Sequence, residues 1–397
     1  MVNVIGLGYI GLPTALMLAA HGNEVVGTDY NARLVDQLNH GHTTFSEKGI
    51  DALYQTAVQK GIRFCEEYQV TDTYIVSVPT PYDKDSKKID PGYVVAAVEG
   101  ILKICPDGAT VVIESTVSPG TIDRYIRPLC GEKHIQLVHA PERIIPGNML
   151  YELEHNSRTI GADAPEVGQR IKALYASFCK GEIVLTDIRT AEMTKVIENT
   201  YRAVNIAFAN ELQMLCRDVG LDVSEIIRIC NMHPRVNILS PGPGVGGHCI
   251  PVDPWFLVGD YPEKTPLIHR ALEINDTMPA YVFQRICAVM EQNGLDDFSK
   301  VGLYGMTYKE DVDDLRESPG LQLLNLMREK GYSPKTYDPM VAQGTLPEQC
   351  GSLAEFLASV DLVVVLVGHR EIRNAQLEHK LVLDTRRVLT GGKVYYL

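Results

Sequence analysis

The sequence predicts an α/β protein: two doubly wound sheets joined by a central long helix and a helical domain. Three observations predict it. Short apolar runs that break at glycine or proline recur through the first part of the chain and again in its last third, which is how buried parallel strands read. The first run opens at once into a glycine-rich turn and a helix-forming stretch. Between the two series, Thr190 to Val219 contains neither glycine nor proline and repeats its apolar residues at helical spacing. The expected divisions are 1–185, 186–295 and 296–397.

Val2-Asn3-Val4-Ile5 reads as a buried strand, Gly6-Leu7-Gly8-Tyr9-Ile10-Gly11 as the turn, and Thr14 to Ala20 as the helix. A second β-rich run, Glu24 to Thr28, ends in Asp29, 18 residues past Gly11. A Rossmann unit places there the carboxylate that accepts from ribose hydroxyls. Gly6 would make the turn, Gly8 would admit a pyrophosphate, and Gly11 would let the helix pack on the strand. The amide-rich loop, with Tyr9 and Ile10 in it, then faces the anion. These residues predict a Rossmann-like domain that binds a dinucleotide. Asp29 repels a 2′-phosphate and so favours NAD over NADP, while Arg33 nearby pulls the other way and is counted with the cofactor site.

Two further strands end in shaped loops. Thr73 to Val78 runs into Pro79-Thr80-Pro81, and Thr110 to Ile113 runs into Glu114-Ser115-Thr116. Ligands of open parallel sheets bind beyond the carboxyl ends of the strands, which places Pro79, Thr80 and Thr116 to meet cofactor or substrate. The same threonines read equally well as strand-end turn residues. His139-Ala140-Pro141-Glu142-Arg143 forms a third such loop.

On the long helix, Lys195 and Asn199 are four apart and share a face that Arg202 continues, with Glu192 and Glu198 on other sides. A solvated lysine is the competing reading of Lys195. A helix of about 30 residues spans roughly 45 Å, long enough to bridge domains and offer a dimer surface. Asp222-Val223-Ser224-Glu225 reads as the next helix start, with Ser224 as its cap. His233-Pro234-Arg235-Val236-Asn237 then leads into Pro241-Gly242-Pro243-Gly244-Val245-Gly246-Gly247-His248-Cys249-Ile250-Pro251-Val252-Asp253-Pro254. Glycine admits positive φ and close backbone approach while proline fixes φ, so this composition specifies a shaped loop. Cys249 is either a reacting thiol or a small buried hydrophobe; His248 beside it and Asp253 four residues on favour the thiol.

The last third repeats strand and turn at Val301 to Gly305, Tyr337-Asp338, Asp361 to Val367 and Val382-Leu383-Asp384, without a complete glycine fingerprint. Lys309, Arg316 and the Arg386-Arg387 pair are the candidates there for phosphates of substrate or cofactor, with a solvated face as the alternative for each.

Composition closes off other classes. The 397 residues are 45% hydrophobic, enough for two or three cored domains. A net charge of -13 argues against nucleic-acid binding. No run approaches the roughly 20 apolar residues that span a bilayer, and Met1 leads almost directly into a strand, so the expectation is a soluble cytoplasmic protein without a signal peptide. Nine scattered cysteines, an odd number, fit reduced thiols, and none of the spacings is a metal site.

Taken in order, Gly6 to Gly11 with Asp29, Val78-Pro79-Thr80-Pro81, Glu114-Ser115-Thr116, Pro141-Glu142-Arg143, Ala191-Glu192 with Lys195 and Asn199, Gly246-Gly247-His248-Cys249, and Asp313-Asp314-Leu315-Arg316-Glu317-Ser318-Pro319 resemble the UDP-glucose and GDP-mannose dehydrogenase family over essentially the whole chain. The stretches Arg202 to Glu211 and His233 to Phe256 look most like members acting on UDP-N-acetyl-D-mannosamine. UDP-N-acetylglucosamine is the close competitor. UDP-glucose members resemble GGSCFxKD here, whereas this chain has His248 and Val252.

The resemblance implies an active site between two similar domains, a UDP-sugar substrate held by the last third, and a homodimer through the long helix. It implies a four-electron oxidation at C6 for cell-surface polysaccharide precursors, through a thiohemiacetal and a thioester on Cys249, with NAD accepting both hydrides. Lys195 and Asn199 would stabilise the oxyanion, Asp253 with a water and Thr116 would handle protons, and Glu142 would assist hydrolysis. Glu142, Arg143, Lys195, Asn199, Arg202, Arg235, Asn237, Gly246, His248, Tyr308, Lys309 and Arg386 would meet the substrate. A one-step dehydrogenase and a non-catalytic nucleotide-sugar-binding protein are the readings of other kinds.

Overall fold

Strand β1 (Val2–Ile5) is buried along its whole length, so its one polar residue must be satisfied internally. Asn3 donates through Nδ2 to the Val26 carbonyl at 3.0 Å and the Thr28 hydroxyl at 2.8 Å, and accepts the Gln69 amide at 3.0 Å. Those bonds tie β1 to β2 (Val25–Thr28) and to the loop that follows β3 (Arg63–Cys65). The sheet continues through β4 (Thr73–Val76), β5 (Thr110–Ile113), β6 (Gln136–His139), β7 (Arg158–Ala162) and β8 (Ile183–Thr186). Its order is β3-β2-β1-β4-β5-β6-β7-β8, parallel throughout except where β7 runs against β6. The winding reverses between β1 and β4, the switch point at which such sheets bind ligands.

The computed structural model describes residues 1–45, 47–145, 147–377, 379–391 and 393–397. They form two compact units, Met1–Glu198 and Asn199–Leu397. The boundary falls inside one helix, Ile188–Asp218, which matches the long helix expected between Thr190 and Val219. No helix among the described residues is long and apolar enough to cross a membrane, and no cluster of metal-ligating side chains occurs among them.

The second unit holds a parallel sheet ordered β10-β9-β11-β12-β13, from β9 (Val301–Tyr304), β10 (Lys335–Tyr337), β11 (Leu362–Val365), β12 (Leu381–Asp384) and β13 (Lys393–Tyr396). Strand alternation divides its core. Val301, Leu303, Leu362 and Val364 pack with Met278, Val282 and Ile286 of the helix Pro266–Gln292, whereas Tyr304, Val363, Val365 and Val382 pack with Phe356. Burial on both faces explains why these strands read as unbroken apolar runs.

The expected doubly wound α/β architecture with its central helix is present. Two local readings are corrected. The helix Val223–Cys230 is capped by Asp222, whose carboxylate accepts the Ser224 amide at 2.8 Å, because Asp222 holds the extended cap conformation and Ser224 already lies inside the helix. Glu192, read as lying off the Lys195 face, is completely buried beside it, since three residues advance only about 300° around a helix.

Candidate active site

The glycine loop after β1 shows why each glycine is there. A Cβ on Gly6, at φ 86°, would lie 2.4 Å from the Ser77 carbonyl, and one on Gly11 would lie 1.8 Å from the Gly6 carbonyl. Both are packing requirements. Gly8 differs: a Cβ there would meet nothing within 4 Å, so the space in front of its backbone is open, as a pyrophosphate needs. Asp29, at the end of β2, accepts the Leu7 amide at 2.8 Å and the Asn31 amide at 2.9 Å, which orients the carboxylate and leaves lone pairs for ribose hydroxyls. Tyr9 stacks on Phe45 at 4.4 Å, and Arg33 is exposed on the following helix. Pro79 and Thr80 follow β4, and Thr116 follows β5, on the same carboxyl edge. The residues present therefore fit a dinucleotide.

Glu142 and Arg143 sit in a denser network than their motif suggests. Arg158, buried on β7, lies between two carboxylates: it donates to Glu142 and, at 3.3 Å, to Glu114. Its guanidinium also covers the Tyr175 ring at 4.2 Å. Burial drives the Glu114 carboxyl upward against the pull of Arg158, and Ser77 and Tyr175 donate to it at 2.6 and 3.0 Å. Arg143 donates to Thr159 at 2.8 Å and pairs with Glu198 at 2.8 Å. Both motif residues are thus committed to internal partners, and the partner cation, Arg158, carried no local sequence signal.

The long helix presents Lys195 and Asn199 buried, so Lys195 is not a solvated surface residue. Arg202, two turns past Lys195, is exposed, as are Arg235 and Asn237. Within the second unit, Asn199 donates to Asp253 at 2.6 Å, and both are buried. Asp253 opens the helix Asp253–Asp260, with Pro254 in its first turn, where a missing amide costs nothing. The carbonyl of Cys249 accepts the amides of Val252 at 3.1 Å and Asp253 at 2.8 Å. That turn brings Asn199, Asp253 and the half-buried Cys249 together. Gly246 answers to packing: a Cβ would lie 2.6 Å from Tyr308 and 2.9 Å from Pro319. His248 is half-buried and its charge helps Arg316 lower the Asp314 carboxyl, against burial that pushes it up.

A shallow cleft opens beyond the carboxyl ends of β9, β11 and β12, lined by Thr307, Tyr308, Leu366, Val367 and Arg386, with Pro243-Gly244 and Pro319-Gly320 at its sides. Gly242 has no Cβ to block Arg386, whose Nη1 would lie 2.4 Å from one. Burial pushes the Arg386 guanidinium down, so a ligand carrying negative charge would relieve it. The expected pair of cations separates here. Arg387 pairs with Asp222 at 2.9 Å and covers the Tyr396 ring, away from the cleft lining. Arg316 is held in a bidentate pair with Asp314, and Lys309 is half-buried beside Tyr308.

Three family models match the chain: the NAD binding domain of the UDP-glucose/GDP-mannose dehydrogenase family at residues 1–179, its central domain at 189–277 and its UDP binding domain at 302–391. The chain belongs to the UDP-glucose/GDP-mannose dehydrogenase family. It is 42% identical over 403 residues to the UDP-N-acetyl-D-mannosamine dehydrogenase of Methanococcus maripaludis, covering 97% of this chain and 92% of that protein. It is 38% identical over 419 residues to the NDP-N-acetyl-D-galactosaminuronic acid dehydrogenase of Ralstonia nicotianae, covering 99% and 97%. The solved UDP-D-ManNAc dehydrogenase of Pyrococcus horikoshii superposes with a TM-score of 0.92 at 34% identity, covering 100% of this chain and 99% of that one. It is accordingly an NAD-dependent UDP-sugar dehydrogenase.

Family membership explains a likeness between its two sheets. Gly305 donates to the Tyr337 carbonyl at 3.0 Å as Gly6 does to Thr28 at 2.8 Å, and Met306 donates to Asp338 at 2.6 Å as Leu7 does to Asp29 at 2.8 Å. The acids then diverge. Asp338 also takes the Thr307 amide at 2.9 Å and His369 Nε2 at 3.2 Å. His369 Nδ1 accepts the Asp311 amide at 3.0 Å, which leaves the proton on Nε2 and aims it at the carboxylate. Burial raises the Asp338 carboxyl, but His369 and the amides outweigh it and hold it low. In the UDP-binding domain, therefore, the strand-end acid organises the loop Met306–Asp311, whereas Asp29 in the NAD-binding domain keeps capacity for a ligand. Asp338 ended a recognised strand, so the parallel with Asp29 was there to be read; His369 had no such cue.

Proposed function

We propose that the protein oxidises UDP-N-acetyl-D-mannosamine at C6 to UDP-N-acetyl-D-mannosaminuronate, a four-electron reaction, in the cytoplasm, supplying a precursor for cell-surface polysaccharide. The observation that carries the chemistry is the turn in which the carbonyl of Cys249 receives the Asp253 amide at 2.8 Å while the Asp253 side chain receives Asn199 at 2.6 Å. A cysteine one turn ahead of a buried acid that holds an amide supports the trapping of an aldehyde. The three-part division at 185/186 and 295/296 is part of the same reading and is supported by the limits of the family matches.

Bound NAD would supply the hydride acceptor, once for each oxidation. Asn199 and the buried Lys195 stabilise negative charge on the C6 oxygen. Asp253 takes the alcohol proton as the aldehyde forms. The Cys249 thiolate adds to that aldehyde, giving a thiohemiacetal whose oxidation leaves a thioester. Water then cleaves the C–S bond, returning the thiol and releasing the carboxylate. One alcohol, two NAD and one water become one carboxylate, two NADH and three protons. The commitment of Glu142 to Arg158 supports a supporting role for Glu142, through the loop that bears it, in place of direct hydrolysis. Arg386, Tyr308 and Lys309 hold the UDP diphosphate, with Arg316 on the cofactor.

The sugar is proposed from the relatives' names and from Gly247-His248-Cys249, where UDP-glucose members resemble Gly-Ser-Cys. A panel of UDP-N-acetylmannosamine, UDP-N-acetylglucosamine, UDP-N-acetylgalactosamine and UDP-glucose tests it. The kcat/KM should favour the first by on the order of 10-fold or more, the scale on which pocket contacts discriminate. A preference for the galacto sugar would support instead the specificity named for the Ralstonia relative.

A homodimer through the long helix is the second part of the proposal. Tyr201, Phe208 and Leu215 recur every seven residues and are 61%, 49% and 56% exposed, an apolar stripe costly to leave in water. Sedimentation should show a dimer for the native chain and a monomer for Phe208→Asp; a native monomer contradicts it.

A further inference from the structure

Glu192 is completely buried, one turn ahead of Lys195 on the same helix face, and its partners lie some seventy residues upstream. Its Oε2 accepts the Gly120 amide at 2.6 Å and its Oε1 the Ile122 amide at 2.9 Å. These amides open the helical turns Ile122–Ile126 and Arg127–Cys130, and the first amides of a helix have no partner inside it. Glu192 is therefore a cap supplied from another element. The segment it caps is the one that carries Thr116. Near its start, the Ser115 hydroxyl accepts the Val78 amide at 2.9 Å and donates to the Val78 carbonyl at 2.7 Å. Thr116 is strung between that anchor and Glu192, and Val117, Ser118 and Thr121 between them are buried.

We propose that Glu192 is a positioning residue: its ionised carboxylate fixes the Thr116 segment to the long helix in register with Lys195, and loss of its charge releases that register. The inference deepens the dehydrogenase reading and rests on it. Burial raises the Glu192 carboxyl to about 6, the two amides oppose the rise, Asp123 adds to it and Arg189 reduces it. Asp123 is itself paired with Arg127 at 3.0 Å and Arg189 at 2.8 Å. Of the other charged residues on these elements, Arg124 belongs to the capped turns and Lys195 stands one turn along the long helix. Protonation leaves the carboxyl with an O–H where one amide needs an acceptor, so one of the two amide bonds is given up as pH falls through about 6, together with the cost of the buried charge. The fold itself is not lost by that step. With the folded value above the ordinary 4.5, the folded chain takes up the proton first, so this group's contribution to stability falls as pH rises between 4.5 and about 6.

The test compares the native enzyme with Glu192→Gln, which mimics the protonated acid, and Glu192→Asp, which keeps the charge at shorter reach. Hydrogen exchange at the Gly120 and Ile122 amides, corrected for the intrinsic pH dependence, should be about tenfold faster in Glu192→Gln than in the native protein at a pH above about 6. Under saturating NAD, kcat of Glu192→Gln should fall about tenfold with the KM for UDP-sugar within about twofold, and the native acid limb near 6 should be missing from its profile. Glu192→Asp should retain that limb. Unchanged exchange in Glu192→Gln overturns the cap. Faster exchange with kcat unchanged, or with a lowered Tm and both KM values raised, overturns the positioning role and leaves a structural one. Native protein that makes no NADH from any UDP-sugar overturns the dehydrogenase reading instead, and the exchange experiment still decides the cap.

Discussion

Replacing Cys249 by alanine should abolish uronate formation, with turnover to acid reduced at least about 1000-fold, as loss of a covalent nucleophile commonly does. NAD and UDP-sugar should still bind within a few-fold of the native affinities, because neither the glycine loop with Asp29 nor the cleft around Arg386 is lined by Cys249. The fold should survive as well. Cys249 is half-buried, and the backbone carbonyl that closes the turn is retained by alanine. The check is mass spectrometry of the sugar nucleotide after prolonged incubation, together with trapping of any aldehyde by hydroxylamine. Uronate formed at the native rate by Cys249→Ala would remove the thioester from the account.

Lys195→Ala should lower kcat by about 100-fold or more, the usual cost of an oxyanion-stabilising group. Burial sharpens this expectation. At a lysine only 7% exposed, water screens weakly, so an interaction with a negative oxygen is worth more there than at a surface. Truncation also leaves a cavity, and the two effects have to be separated. Lys195→Met keeps most of the stem's volume without the ammonium and should be as slow as alanine while melting close to the native protein. A methionine variant with near-native turnover would mean that the stem, not the charge, matters. Asn199→Ala should act in the same direction through two routes, since it also removes a donor from the buried Asp253.

The nucleotide end of the chain was legible because its determinants are local. β1, the glycine turn and Asp29 lie within one short stretch, and each glycine answers to a backbone clash or to an opening that its neighbours define. The long helix was legible for a similar reason, as a run without breakers. Edge and late strands were not. β13 (Lys393–Tyr396) is only partly buried, so it lacks the apolar run that marks β11, and β8 is exposed at Val184. Pairwise roles were the least legible. Glu192 serves amides of a distant loop, and Arg158 serves two carboxylates from another strand; nothing beside either residue announces its partner. The cysteine loop falls between these cases. Its glycines and prolines declared a shaped backbone, but that Gly246 yields to Tyr308 and Pro319 follows only from packing.

The central claim is a double oxidation through one thiol, and the ratio of NADH formed to UDP-sugar consumed tests it most directly. With UDP-N-acetylmannosamine limiting and NAD in excess, the account predicts about two NADH per sugar, because the thiohemiacetal on Cys249 is oxidised before it can leave. About one NADH per sugar, with aldehyde accumulating, would contradict it.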